Sequence, residues 1–209
     1  MFSTRSYTLQ VRGTPGSGKT TLAVLLAWYI RQQDSAAHII FRPNWNLKSV
    51  DDIGGWRPFL EKKCGWVPGK KTFFIFDDAQ TSYEDMDLWN AFFKDNPNYR
   101  DEFVITFASY GSPSFFVTVG GTPMSVPDRM RVTLRQTNDD GLGDIGLLLS
   151  NAEFDELVRK RFVTEHFFDP SFFAGVFEAT GGHAGAINDF LEVVSNDDVR
   201  FFIMSDHIT

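Results

Sequence analysis

Residues Gly13-Thr14-Pro15-Gly16-Ser17-Gly18-Lys19-Thr20 follow the pattern G-x-x-x-x-G-K-S/T, set between an apolar strand pattern over residues 7–11 and an apolar helix pattern over residues 19–31. Glycines at 13, 16 and 18 let the backbone close into a concave nest with its amide hydrogens turned inward. Together with the start of a helix, such a nest carries positive partial charge and suits an anion. In this context the pattern predicts a phosphate-binding loop. Lys19 is then expected to reach the β- and γ-phosphates of a nucleotide, and the Thr20 hydroxyl to help hold a magnesium ion. The expected nucleotide-binding set is Gly13, Thr14, Pro15, Gly16, Ser17, Gly18, Lys19, Thr20 and Thr21.

A length of 209 residues allows one α/β domain with a small appendage. Hydrophobic residues at 43% against charged residues at 22% are the balance of a globular chain, and no stretch is long enough to span a bilayer. Residues 1–8 lack the apolar core of a signal peptide, so the expected location is intracellular. Cys64 is the single cysteine, which excludes an internal disulfide and a multi-cysteine metal site. The formal net charge of −7 argues against broad capture of nucleic acid, which needs clustered lysine and arginine. Arg129, Arg131 and Arg135 form only a short basic segment, and the 22 phenylalanines fall at core spacings. His38, His166, His183 and His207 show no metal-ligand spacing and are read as structural.

Strands are predicted over residues 7–11, 38–41, 72–76, 103–108 and 131–135. The third of these, Thr72-Phe73-Phe74-Ile75-Phe76, is apolar on both faces, as a central parallel strand covered by helices should be. Helices are expected over residues 19–31, with Leu22, Leu25, Leu26 and Tyr29 on one face, over about 56–62, and over about 83–93 with Met86, Trp89, Asn90 and Phe93 turned inward. After Asn138 the pattern is helical only. Ser150 and Glu153 make a capping box, Asp169-Pro170 opens a second helix that Gly181-Gly182 closes, and a third carries Ala186, Ile187, Phe190, Leu191 and Val194. Residues 1–145 are therefore expected to form the α/β core, and residues 146–209 a helical lid.

A nucleoside-triphosphatase of this kind also needs a carboxylate closing an apolar strand, where it serves magnesium. Asp77 is that residue. In the class that adds a catalytic acid, one further strand separates the loop strand from the magnesium strand, so a parallel sheet of order 5-1-4-3-2, sandwiched by helices, is expected. The catalytic acid is normally glutamate; here Asp78 stands in its place and is shorter by one methylene, roughly 1.5 Å of reach. A misplacement of about 1 Å can cost two orders of magnitude in rate, so slow hydrolysis is expected. Ser109, closing the fourth strand, is placed to contact the γ-phosphate, Gln80 offers an amide that could orient water, and Arg100, Arg129 and Arg131 are candidate arginine fingers. Lys19, Asp78 and Ser109 are thus the expected catalytic residues, with Thr20 and Asp77 holding the metal. Gly141-Leu142-Gly143-Asp144-Ile145-Gly146 spells G-x-G-x-x-G without a helix to follow, so it is read as a link. Asp51-Asp52-Ile53-Gly54 has no apolar strand before it, and no guanine-reading N-K-x-D segment is present, which favours ATP over GTP.

The stretches Phe76-Asp77-Asp78-Ala79-Gln80-Thr81-Ser82-Tyr83-Glu84-Asp85, Leu88-Trp89-Asn90-Ala91-Phe92-Phe93-Lys94 and Phe107-Ala108-Ser109-Tyr110-Gly111-Ser112-Pro113 resemble the P-loop NTPase domain of fungal Crinkler-type proteins. So do Phe168-Asp169-Pro170-Ser171-Phe172 and Gly182-His183-Ala184-Gly185-Ala186-Ile187. The resemblance implies an ATPase fold of the AAA+ and STAND kind, used as a regulatory or energy-coupling module in effectors that act inside another organism's cells. Where the family has Asp-Glu this chain has Asp77-Asp78, and residues 183–186 lack the arginine or proline common in related ATPases. The expected activity is Mg-dependent ATP hydrolysis gating a lid, with ATP and Mg2+ as cofactors, an unidentified protein partner, and room for homo-oligomers. A nucleotide-binding scaffold without turnover, or a small-molecule kinase, are the alternatives.

Overall fold

The computed structural model describes residues 8–94, 101–109, 126–127, 130–134, 146–161 and 170–195. Five strands form one sheet: β1 (Thr8–Gly13), β2 (His38–Arg42), β3 (Thr72–Phe76), β4 (Glu102–Ser109) and β5 (Arg131–Val132). Every pairing is parallel and the order is β2-β3-β4-β1-β5, the expected 5-1-4-3-2 seen from the other edge. Parallel neighbours need crossover connections, and these put helices on both faces.

One face is covered by α1 (Lys19–Gln33), whose Ala23, Leu26, Ala27 and Ile30 pack on Val11, Ile75, Ile105 and Phe107. The buried stripe is therefore not Leu22, Leu25 and Tyr29. Leu25 and Tyr29 lie outward beside Trp28, which is 62% exposed. The opposite face carries α2 (Leu47–Asp51), α3 (Trp56–Cys64), a 3-10 turn (Ala79–Ser82) and a π-helical segment (Leu88–Lys94). Trp45, Phe59, Leu60, Trp66, Leu88, Trp89, Phe92 and Phe93 bury Phe74, Phe76 and Val104 there, with rings such as Trp66–Phe74 and Trp89–Phe93 edge to face.

Three differences from the sequence reading stand out. In place of the single helix expected over about 83–93, a π-helical segment starts only at Leu88, after the 3-10 turn of residues 79–82, and Met86 and Asn90 face solvent while Leu88 and Phe92 are buried. The short helix α2 was not foreseen, and the segment Asp51-Asp52-Ile53-Gly54 is its end, capped at the start by Asn46 accepting from Ser49 N. Strand β5 is two residues long, with Arg135 outside the described residues.

Beyond the sheet come α4 (Asn151–Arg161), α5 (Pro170–Thr180) and α6 (Ala184–Ser195), which share a core of Phe154, Val176, Ile187 and Leu191. The capping box at α4 is formed: Ser150 N and Oγ both donate to Glu153 Oε2 at 2.8 Å, and Glu153 N donates back to Ser150 Oγ. Among the described residues no helix is long and apolar enough to cross a membrane.

Candidate functional site

The glycine-rich loop leaves the carboxyl end of β1, a strand flanked by β4 and β5, whose following chain crosses to the far edge of the sheet. Ligands of open parallel sheets bind at such switch points. Gly16 (φ 75°) and Gly18 (φ 87°) both take the left-handed conformation that an L side chain resists. Gly13 is packed closely: a Cβ there would meet Ser17 Oγ at 2.6 Å and Leu147 Cδ1 at 2.7 Å, so those side chains would have to shift.

Lys19, on the first turn of α1, is only 6% exposed. Its Nζ donates to the carbonyls of Thr14 (2.7 Å) and Gly13 (3.1 Å), so the ammonium sits under the loop and closes it as a ring. Burial pushes this amine below its ordinary range, while the carboxylates of Asp78 and, less strongly, Asp77 pull it back. The aspartate pair and the loop therefore act on one another electrostatically, although they are nearly sixty residues apart in the chain. Ser17 is buried, Thr14 and Gly18 half-buried, and Pro15, Gly16, Thr20 and Thr21 exposed.

Asp77 follows β3 directly, anchored by its N–H to Arg42 O at 2.8 Å. Its side chain is 4% exposed, and its Oδ1, like Ser17 Oγ, is a buried oxygen with no hydrogen-bond partner. A buried carboxylate oxygen left so is costly unless a cation or donor serves it. That is the chemistry magnesium asks for: one or two hard oxygen ligands, with phosphate and water completing the shell. Asp77 Oδ1 is an oxygen of that kind, and the Thr20 hydroxyl is exposed on the first turn of α1. Among the described residues no group of three or more His, Cys, Asp or Glu side chains could hold a metal, so a multi-carboxylate cage is not what these residues offer.

Asp78 is exposed and left-handed (φ 46°, ψ 44°), at the entry to the 3-10 turn. It occupies the cap position of that turn, but its side chain makes no cap hydrogen bond. Its Oδ1 instead accepts from Gln80 Nε2 at 3.1 Å, and Gln80 Oε1 accepts from Ser109 N at 3.1 Å. Ser109 lies directly beside Gly13 in the β1–β4 ladder. Lys19, Asp77, Asp78, Ser109 and the loop thus share the carboxyl edge of the sheet. Of the candidate arginine fingers, Arg131 is half-buried on β5 opposite Gln10, and Arg100 and Arg129 lie outside the described residues, as do residues 141–145 of the glycine-rich link.

One residue at this site escaped the sequence reading. His183, between α5 and α6, meets Thr14 Oγ1 through Nε2 at 2.9 Å. Its Nδ1 accepts from Ala186 N at 3.2 Å, capping α6, which leaves the ring proton on Nε2 to donate to Thr14. The neighbouring backbones touch as well, since a Cβ on Gly185 would meet Gly16 O at 2.7 Å and one on Gly182 would run into Leu149 O. The contact spans 169 positions, so no local spacing announces it; the two glycines around His183 were the only trace. Comparison with protein-family models, with curated proteins and with solved structures gave no match.

Proposed function

We propose that the chain binds Mg-ATP in the Gly13–Thr20 loop and hydrolyses it slowly, with the helical unit from Gly146 onward as the element that responds. The observation that carries this reading is that the glycine loop with its buried Lys19 and the aspartate pair leave the carboxyl ends of β1 and β3, two strands of one parallel sheet separated by β4 alone. Loop amides and Lys19 would neutralise the β- and γ-phosphates, where charge develops as the γ-phosphoryl group leaves. Bound at Thr20 and Asp77, magnesium would add Lewis-acid stabilisation of that charge. Asp78 takes a proton from water as its oxygen bonds to the γ-phosphorus; the bond to the β-γ bridging oxygen breaks, giving ADP and phosphate. Ser109, beside Gly13, contacts the γ-phosphate. The contact of Thr14 with His183 gives the helical unit a direct reading of the loop's state.

Membership of the Crinkler-type group of P-loop ATPases, and action inside host cells, belong to this proposal and rest on the sequence resemblance. A second reading, a nucleotide-gated scaffold without turnover, draws support from the short Asp78 in the catalytic position; ATP affinity without phosphate release would establish it. Steady-state turnover separates the two. The expected result is measurable Mg-dependent phosphate release, reduced about 100-fold or more in Lys19→Ala and in Asp78→Asn. Turnover indifferent to both substitutions would discard the site.

A further inference from the structure

Two chains of hydrogen bonds run out from Asp78. Its carbonyl accepts from Thr81 Oγ1 at 2.8 Å, and Thr81 Oγ1 in turn accepts from Trp45 N at 2.9 Å, tying the turn to the chain that follows β2. On the other side the Gln80 amide donates to the Asp78 carboxylate and its carbonyl accepts from Ser109 N, tying the turn to the end of β4. The backbone of Asp78 is thus held from one strand end and its carboxylate from another.

A half-buried glutamine gives up rotamer freedom when its side chain is fixed. Gln80 is fixed at both ends, by Asp78 two residues before it and by Ser109, 29 residues after it. Serving the Ser109 amide alone would need only its carbonyl. The –NH2 end has a separate job, and the group it meets is the carboxylate nearest in effect to Lys19.

We propose that Gln80 is the positioning residue for Asp78: it bridges the Asp78 carboxylate to the Ser109 end of β4, beside Gly13, and so fixes the short acid over the loop. The assignment rests on the hydrolytic reading of the Gly13–Thr20 site. It also accounts for how aspartate can serve where glutamate is usual. The left-handed backbone sets the direction in which the residue leaves β3, and the amide holds its carboxylate, so that part of the reach lost with a methylene is recovered as fixed direction. Because Ser109 is the other end of the bridge, a displacement at Ser109 on phosphate release is passed to the base.

Gln80→Glu retains the acceptor for Ser109 N but loses the donor to Asp78, and Gln80→Ala loses both. Each is expected to lower kcat about 10- to 100-fold while leaving the Kd for a non-hydrolysable ATP analogue within about twofold. In an Asp78→Ala background, removing Gln80 as well should change kcat by less than about twofold, since a positioning residue has nothing left to position. Full turnover in Gln80→Glu, or losses that multiply in the double variant, would overturn the assignment. Amide exchange of Ser109 reads the bridge without turnover: it should quicken about tenfold in Asp78→Ala as well as in Gln80→Ala. Exchange at Ser109 indifferent to Asp78→Ala would refute the bridge. Analogue binding with no phosphate release from the unaltered chain would overturn the hydrolytic reading, and with it the positioning role, even where exchange confirms the bridge.

Discussion

At Asp78 the chain leaves β3 through a left-handed turn, and among the described residues it is the one non-glycine residue with positive φ. For an L residue that conformation costs of order 1 kcal/mol, less for the short polar side chains that bond locally, as Asp78 does with Gln80. Backbone strain kept at a site points to use. Asp78→Gly should therefore leave the free energy of unfolding within about 1 kcal/mol of the parent while abolishing turnover, whereas the β-branched Asp78→Val should lose about 1–2 kcal/mol more, both read by urea denaturation. Equal destabilisation by glycine and valine would mean that no strain is held there. The position of Asp77 and Asp78 was legible because the four apolar residues that close β3 end abruptly in two charges. The left-handed turn and the Gln80 bridge were not, since they depend on Ser109, which only the sheet brings near.

Elements differ in how much they disclose. Glu153 reads plainly: the hydrogen bonds from Ser150 hold its carboxyl below the ordinary 4.5. A depressed folded-state value means a contribution present above about pH 4.5 and lost as pH falls through the lowered value. Glu153→Gln should accordingly cost about 0.5 kcal/mol at pH 7 after solvent screening, and the gap to the parent should close in acid; a gap constant down to pH 3 would show that the charge plays no part. Helix α1 discloses less, because residues 22–30 are apolar without interruption and periodicity cannot choose the face that docks. Small Ala23 and Ala27 decide it by letting the helix approach the sheet. In the π-helical segment the buried pairs Leu88-Trp89 and Phe92-Phe93 recur every four residues, a spacing that a wider turn aligns better than 3.6 does.

For the whole molecule, the strand order was expected from the class of ATPase that adds a catalytic acid, and the sheet has that order. Docking of the helical unit on the loop was hidden, because His183 and Gly185 meet Thr14 and Gly16 through a single imidazole and a close backbone approach, which no apolar pattern announces. The proposed function depends on the loop as a holder of triphosphate. Calorimetric titration of the intact chain with Mg-ATP, beside Lys19→Ala, tests that most directly. The account predicts one site of micromolar affinity, weakened about 100-fold, or about 2.7 kcal/mol, when the ammonium is removed. Absence of binding by the parent chain, or equal affinity in the variant, would contradict it.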